Sequence, residues 1–204
     1  MMEIIYFFIK RLLDILASIL GLIILSPIFL FIALWIKKDS TGPIFFRQER
    51  VGIHGKTFFI HKFRSMKIDT ERMSQLTIGD DERITRSGKF IRKYKLDELA
   101  QLIDVLYGDM SLVGPRPEVP KYMEKYPPET REIILSIKPG ITDLASIAMI
   151  NENDILAKYA DPHQAYIDII MPIKARYYLD YVKNKSIVLD IKIICLTILR
   201  ILKN

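Results

Sequence analysis

A strip of cationic residues runs directly into two adjacent carboxylates near the middle of the sequence. The segment from Arg83 to Lys95 holds six basic residues and no acidic one, and Asp97-Glu98 follow almost at once. Arginine and lysine bind phosphate oxygens, and a carboxylate can attack an electrophilic centre or hold a divalent cation. Acidic residues are also common in the first turn of a solvated helix, where they interact with the helix dipole. The residue types therefore leave a phosphate-binding catalytic site and a salt-bridged helix start both open.

Arg116 stands between two prolines in the motif Gly114-Pro115-Arg116-Pro117. Proline fixes its own φ and biases the preceding residue toward extended backbone, so the guanidinium can be aimed before a ligand arrives. The fork of donors on arginine matches two oxygens of a phosphate. A tight turn whose arginine faces solvent would have the same sequence, so this motif by itself does not decide between the two.

The first forty residues must place these groups relative to a membrane or a core. From Leu12 to Ile36 the one charged residue is Asp14, and Lys10-Arg11 and Lys37-Lys38 bracket the run. The run is long enough to reach across a bilayer. It is too long for a secretory signal, and no small-residue cleavage site follows it. We therefore predict a membrane-associated helix followed by a domain that begins near residue 39.

Ser26-Pro27 lies in the middle of this run. Proline has no N–H to give the carbonyl of Ile23, so we predict a kink or break, with the Ser26 hydroxyl returning to the carbonyl of Leu22. A kinked span, a re-entrant hairpin and a buried core helix all remain open. Equal basic flanks give a spanning helix no preferred direction, whereas a re-entrant element places both ends in one anionic headgroup layer. The flanking charges favour re-entry.

The rest of the chain reads as a small α/β domain without a linker or repeat. Strand-like runs at 44–46 and 57–60 flank a turn at 52–55, which predicts a hairpin. Apolar residues at three- and four-residue spacing predict a helix from Leu96 to Leu106. A further helix is expected to begin near Pro128. The tail from Ser186 to Leu202 is apolar on most sides and is typical of a helix at a bilayer surface or in an apolar groove.

Composition excludes several classes of function. The net charge of +6 and the pI near 9.3 require an anionic partner, which could be nucleic acid, lipid headgroups or a phosphorylated substrate. The single cysteine, Cys195, argues against disulfide scaffolds and cysteine-based zinc sites. Neither a P-loop nor a Rossmann glycine fingerprint occurs. Nucleic-acid binding is the weakest option, because the basic residues lack interleaved aromatic residues and an apolar amino terminus has no use there.

Taken in order, the motifs resemble the bacterial sugar transferases, and more narrowly the monotopic polyprenyl-phosphate phosphoglycosyl transferases. The resemblance covers nearly the whole chain behind the Ser-Pro membrane segment. It rests on four blocks, namely Lys62-Phe63-Arg64-Ser65-Met66, Leu96-Asp97-Glu98-Leu99, Gly108-Asp109-Met110-Ser111-Leu112-Val113-Gly114-Pro115-Arg116-Pro117 and Pro139-Gly140-Ile141-Thr142.

The resemblance implies an enzyme that transfers a sugar 1-phosphate from a UDP-sugar to undecaprenyl phosphate, releases UMP and uses Mg2+, as the first membrane step of glycoconjugate assembly. By motif position, Asp97 would be the nucleophile that carries the phosphosugar, and Glu98 would bind the metal. The residues expected to hold substrate phosphates are Lys62, Arg92 and Arg116. A non-catalytic membrane-anchored partner subunit of the same fold is the alternative, but the intact acidic pair and Arg116 favour an enzyme.

The resemblance also implies a fold and a location. We expect a mostly helical α/β cytosolic catalytic domain over 39–204, behind a re-entrant membrane helix over 1–38 that is broken at Ser26-Pro27. The carboxyl-terminal helix is expected to be interfacial. The protein would lie on the cytosolic face of the bacterial inner membrane in contact with membrane lipids, and a homo-oligomer is compatible with the sequence.

Four positions depart from the family pattern. Ala100 and Asp104 stand where members usually have Pro and Asn, and Asp143 and Ser146 stand where many members have Gly and Gln. Alanine is the better helix former, so the change at Ala100 is interpreted as structural. Asp143 adds a charge where a small residue is common. We interpret Asp143 and Ser146 as part of a loop that determines which sugar is accepted.

Overall fold

The amino-terminal apolar segment forms one helix, α1, that is continuous from Met2 to Asp39. The computed structural model describes residues 2–68, 81–149 and 151–203. The predicted break at Ser26-Pro27 is not seen as an interruption of the helix, since Pro27 lies inside it. The Ser26 hydroxyl donates to the carbonyl of Ile23 at 2.8 Å, and not to Leu22 as predicted. It thereby bonds the acceptor that proline deprives of a backbone N–H, which helps the helix continue.

One stripe of α1 packs against the rest of the chain along both halves of the helix. In the first half, the buried Asp14 accepts from the Ser111 hydroxyl at 2.7 Å and from the Leu112 N–H at 3.1 Å. In the second half, Ile32 and Ile36 are fully buried in a cluster whose other buried members are Phe63, Ile91 and Ala100. The remaining faces are apolar and exposed, and among the described residues α1 is the one helix long and apolar enough to cross a membrane.

Asp190 joins the two ends of the chain. Its carboxylate accepts from the Lys10 ammonium at 2.8 Å, the Tyr6 hydroxyl at 3.1 Å and the Tyr181 hydroxyl at 2.6 Å. Asp190 belongs to helix α10, Ile187–Leu202, which begins at the side-chain cap Ser186. The predicted tail helix is thus confirmed, and one buried carboxylate ties it to α1 and to α9, Met171–Asn184.

The predicted hairpin is confirmed, with longer strands than expected. Strand β1 spans Phe45–Val51, and β2 spans Thr57–Phe63 in antiparallel register with it, from the pair Phe45 and Phe63 to the pair Val51 and Thr57. The turn between the strands contains a short 3₁₀ segment, Ile53–Gly55. Because side chains alternate along a strand, β2 can bury Phe63 in the α1 cluster while the neighbouring Lys62 lines the large cavity described below.

The predicted helix from Leu96 to Leu106 is wrong in its first half. Helix α2, Arg86–Lys93, ends just before Lys95, whose φ of 55° reverses the chain. A 3₁₀ helix, Leu96–Gln101, follows and passes into α3, Leu102–Tyr107. The 3₁₀ turn repeats every three residues, and Asp97 and Ala100 are both buried within it.

A short parallel pair, β3 (Ser111–Val113) and β4 (Gly140–Thr142), positions the segment that contains Arg116. Gly140 lies so close to Gly114 that a Cβ on Gly140 would be 2.1 Å from the Gly114 nitrogen. A glycine is therefore required where the two strands meet.

The other helices enclose the largest buried apolar cluster, which includes Tyr122, Ile170 and Tyr178. Helix α5 begins at Pro128 as predicted. A π-helical segment, Tyr166–Ile170, leads directly into α9. The shorter helices are α4 (Pro120–Met123), α5 (Pro128–Ile134), α6 (Leu144–Ala148), α7 (Glu152–Leu156) and α8 (Pro162–Ala165).

Candidate active site

A cavity of about 1010 Å3 lies between the hairpin, the 3₁₀ helix, α1 and α10. Its lining includes most of the predicted site residues together with apolar side chains, and α10 contributes Ile194, Ile198 and Ile201 as well as Thr197 and Arg200. The predicted site residues that line the cavity are Lys62, Arg92, Asp97, Glu98, Arg116 and Ser146. Elements distant in sequence thus bring the cations and both carboxylates to one place.

Glu98 is held by two cations that come from different elements. Lys62 of β2 donates to Glu98 Oε1 at 3.0 Å, and Arg116 Nη1 donates to Glu98 Oε2 at 3.0 Å. Arg116 Nη2 also donates to Oε1, so the guanidinium contacts both carboxylate oxygens. Burial pushes the pKa of Glu98 upward, but Arg116 and Lys62 outweigh it and hold the pKa well below its ordinary value. Glu98 is therefore a carboxylate at neutral pH.

Asp97 has a different environment from its neighbour. It is 7% exposed, and its Oδ1 has no hydrogen-bond partner among the described residues. Burial raises the pKa of Asp97 above its ordinary value, and the charge of Glu98 adds to the rise. Lys62 and Arg92 act in the opposite direction. Asp97 is thus a poorly solvated carboxyl group beside an ion-paired carboxylate, and the poor solvation of its ionised form favours attack on an electrophile.

The Arg116 guanidinium is aimed by the backbone that precedes it. The Gly140 N–H donates to the carbonyl of Pro115 at 3.0 Å, and the Gly114 N–H donates to the carbonyl of Thr142 at 3.2 Å. The strand pair therefore fixes the backbone on the amino-terminal side of Arg116. Glu98 raises the pKa of Arg116 well above its ordinary value, which keeps the guanidinium charged inside the cavity.

The carboxylates of the cavity suit a Mg2+ ion that is also bound by substrate phosphates. Among residues 2–68, 81–149 and 151–203, no three His, Cys, Asp or Glu side chains are placed to hold a metal. Mg2+ is usually bound through one or two carboxylates together with substrate phosphates. Glu98 and the unpartnered Oδ1 of Asp97 supply such carboxylate oxygens. The donor set suits a Mg2+ that arrives with a diphosphate, and not a site made wholly of protein ligands.

Asp143 and Ser146 occupy different places although they are hydrogen-bonded to each other. Asp143 is the amino-terminal cap of α6, where it accepts from the Ser146 N–H at 2.9 Å and from the Ser146 hydroxyl at 2.5 Å. Ser146 lines the cavity, whereas Asp143 is buried behind it. Any effect of Asp143 on substrate choice must therefore pass through α6.

Asp104 has a specific partner in this chain. Its Oδ2 accepts from the backbone N–H of His61 at 2.8 Å, and its Oδ1 lies 2.6 Å from His61 Nδ1. On its other side the His61 ring contacts Arg47, which lines the cavity. A carboxylate at position 104 accepts two donors where the usual asparagine of the family would offer one acceptor oxygen.

Sequence reasoning did not single out several polar residues that line the cavity. Arg50 donates to the carbonyl of Pro117 at 3.0 Å and lines the cavity. Lys174 lines the cavity too, although its mostly apolar neighbours in the sequence give no indication of this. Arg64 of the KFRSM block lines the cavity and also bonds the carbonyls of three residues just after α1, namely Ser40, Thr41 and Pro43. For Lys174 the sequence signal available was a charge within a largely apolar stretch, whereas Arg50 follows Arg47, Gln48 and Glu49 and nothing in the sequence singles it out.

Comparison with known proteins identifies the family of this chain. The family model "Bacterial sugar transferase" matches residues 5–204. The UDP-glucose:undecaprenyl-phosphate glucose-1-phosphate transferase of Klebsiella pneumoniae is 42% identical over 196 residues, which cover 94% of this chain and 39% of that protein. The UDP-N-acetylgalactosamine-undecaprenyl-phosphate N-acetylgalactosaminephosphotransferase of Aeromonas hydrophila is 40% identical over 201 residues, covering 97% and 44%.

A shorter relative matches along most of its own length. The uncharacterized sugar transferase EpsL of Bacillus subtilis (strain 168) is 38% identical over 193 residues, which cover 95% of this chain and 87% of that protein. The chain spans about two fifths of the length of the two longer relatives. With a family model along nearly the whole sequence and relatives near 40% identity, the chain belongs to the bacterial sugar transferase family.

Proposed function

We propose that this protein transfers a sugar 1-phosphate from a UDP-sugar to undecaprenyl phosphate, and so begins the assembly of a glycoconjugate. In the first step an Asp97 oxygen attacks the phosphorus that bears the sugar. The bond from that phosphorus to the oxygen shared with the second phosphate breaks, and UMP leaves with that oxygen. In the second step a phosphate oxygen of the lipid attacks the same phosphorus and displaces Asp97, which yields the lipid diphosphate sugar.

The observation that carries this proposal is the contrast between the two adjacent carboxylates. Glu98 is bonded by Lys62 and Arg116, whereas Asp97 Oδ1 is buried without a partner among the described residues. A diphosphate repels an attacking carboxylate unless cations neutralise it. Lys62, Arg92 and Arg116 line the cavity that holds Asp97, and they supply that neutralisation.

Mg2+ is proposed as the cofactor, with Glu98 as its protein ligand. When bound, the ion would neutralise charge on the diphosphate of the donor. Lys62 and Arg116 would then exchange part of their contact with Glu98 for contact with phosphate oxygens. Charge-assisted bonds of this kind are well suited to such an exchange, because carboxylate and phosphate oxygens accept with similar geometry.

The apolar part of the cavity lining suits the lipid acceptor. Ile194, Ile198 and Ile201 of α10 line the cavity, as do Ala17 of α1 and Leu102 of α3. A polyprenyl chain requires an apolar surface of this kind, and its phosphate requires cations. A cavity lined by both apolar and cationic side chains meets both needs.

For the membrane, we propose a re-entrant course for α1 on the cytosolic face of the bacterial inner membrane. Lys10 and Asp14 in its first half and Ile36 in its second half all contact the same small domain. A helix that crossed the bilayer would carry one of these contact regions to the far side. The exposed apolar side chains of α1 and of α10 would then face membrane lipids, with α10 as an interfacial helix.

A labelled donor tests the reaction. UDP-sugar carrying ³²P at the sugar-bearing phosphate is incubated with the purified protein without lipid acceptor, and UMP release and label on the denatured protein are measured. We expect both, and we expect Asp97→Asn to lose both. Asp109→Asn is the matched control because Asp109 is exposed and does not line the cavity. Label that survives Asp97→Asn would place the nucleophile elsewhere, and an inactive wild type would favour the anchoring subunit.

We propose that Asp143 affects sugar choice indirectly, through its hydrogen bond to Ser146, which lines the cavity. Asp143→Gly removes the cap of α6 and frees the Ser146 hydroxyl that faces the cavity. We expect the ranking of UDP-sugar donors to change. An unaltered ranking, measured as UMP release across a donor panel, would show that Asp143 serves the fold and not substrate choice.

A further inference from the structure

An ion pair on the cavity wall takes no part in the phosphate chemistry proposed above. Lys174 of α9 is 4% exposed, and its ammonium lies 2.8 Å from Glu152 Oε2 and 3.2 Å from the Tyr166 hydroxyl. Lys174 and Glu152 both line the cavity. A buried ion pair is often no more stabilising than apolar side chains of the same volume. Stability is therefore a weak reason for placing these charges here.

A rigid frame holds this ion pair in position. The Tyr166 hydroxyl donates to Glu118 Oε1 at 2.6 Å, and the Glu118 carbonyl accepts from the Val51 N–H at 2.9 Å. Tyr166 begins the π-helical segment that precedes α9. Such segments are rare and frequently occur at functional sites. Lys174 is thus anchored through Tyr166 and Glu118 to the hairpin that also carries Lys62.

The chemistry of this wall suits hydroxyl groups. Lys174 can donate three hydrogen bonds, and Glu152 offers a second carboxylate oxygen; its side chain is 24% exposed. Ser146 and Asn153 line the cavity as well. A sugar hydroxyl both donates and accepts, so a neighbouring ammonium and carboxylate can bond adjacent hydroxyls together. A nucleobase would favour an aromatic stacking partner, and a lipid chain would favour the isoleucines of α10.

We propose that Glu152 and Lys174 form the subsite that binds the hydroxyl groups of the donor sugar. The proposal rests on the function proposed above, and it makes this ion pair, beside Ser146, a determinant of which hexose is accepted. Sites that hydrogen-bond a substrate hydroxyl discriminate strongly against analogues that lack it or place it differently. Losing one charge-assisted bond weakens binding by roughly tenfold to a hundredfold.

The test measures binding in the Asp97→Asn background, where turnover does not interfere. Calorimetry compares UDP with UDP-glucose, UDP-galactose, UDP-N-acetylglucosamine and UDP-N-acetylgalactosamine. We expect at least one sugar to increase affinity over UDP. We expect Glu152→Gln to remove roughly tenfold or more of that gain while leaving the affinity for UDP unchanged. Asp154→Asn is the matched control, since Asp154 is exposed on the same helix α7 and does not line the cavity.

Two results would overturn the subsite. One is a Glu152→Gln variant that weakens UDP and every UDP-sugar by the same factor, and the other is the absence of any gain from the sugar in the parent protein. Should Glu152→Gln fail to fold, Glu152→Asp replaces it, because it keeps the charge beside Lys174 but shortens the side chain that reaches the cavity. Failure of the transfer reaction is recognised separately, because a wild type that binds UDP-sugars without releasing UMP refutes the proposed chemistry and not the subsite.

Discussion

Replacing Arg116 with lysine separates charge from geometry at the centre of the site. Arg116 Nη1 donates to Glu98 Oε2 at 3.0 Å while Nη2 donates to Oε1, which Lys62 also contacts. Lysine keeps the positive charge but is a point donor that does not reproduce the arginine fork. A hydrogen bond to a charged group contributes about 1.5–3 kcal/mol. Losing one such bond corresponds to a decrease in rate of roughly 10- to 150-fold, at about 1.4 kcal/mol per factor of ten.

The assay is UMP release at varied UDP-sugar concentration, and kcat/KM is the quantity compared. Arg176→Lys is the control, because Arg176 is exposed on α9 and does not line the cavity. We expect the kcat/KM of Arg116→Lys to decrease by roughly 10- to 150-fold. The kcat/KM of the control should stay within about twofold of wild type, since surface substitutions of this kind change free energies by less than about 0.5 kcal/mol. Circular dichroism checks that both variants are folded. An Arg116→Lys enzyme as active as the control would show that charge suffices and that the fork has no role.

Three further expectations follow from the structure. Lys62→Met removes a charge that lowers the pKa of Asp97; the acid limb of the kcat/KM profile should therefore move to higher pH, and an unmoved limb would contradict this. Pro27→Ala restores a backbone donor within the already continuous α1, and because both halves of the helix contact one domain, an amino-terminal cysteine label should stay on the same membrane side; a label that moved to the opposite side would show that proline, and not these contacts, determines the course. Gly140→Ala places a Cβ 2.1 Å from backbone and should lower the free energy of unfolding by at least about 1–3 kcal/mol, and an unchanged denaturation midpoint would refute that close contact.

Local signals in the sequence predicted much of the fold. Alternation and turn residues predicted the hairpin, Pro128 predicted the start of α5, and the apolar tail predicted α10. The 3₁₀ geometry at Leu96–Gln101 was not predictable from spacing, because apolar positions three and four residues apart fit both helix types. The continuity of α1 through Pro27 depends on a side-chain hydrogen bond of Ser26, for which two carbonyl acceptors were available.

The sequence predicted which residues form the site, but not which of them are hydrogen-bonded to one another. Cations and carboxylates in family motifs indicated Lys62, Asp97 and Arg116, and the structure places all three on one cavity. That Glu98, and not Asp97, receives both cations follows from long-range packing of β2 and the Arg116 segment against the 3₁₀ helix. Lys174 was missed because no local pattern indicates which distant carboxylate pairs with a charge in a helix.

The Asp190 carboxylate has a consequence for biosynthesis. Its donors Tyr6 and Lys10 are 184 and 180 residues away along the chain. α1 is translated before α10, so these bonds cannot form until the segment that contains Asp190 has left the ribosome. The exposed apolar faces of α1 therefore need lipid or chaperone protection while the segment between α1 and α10 is made. The order of synthesis thus delays this closure until α10 has been made.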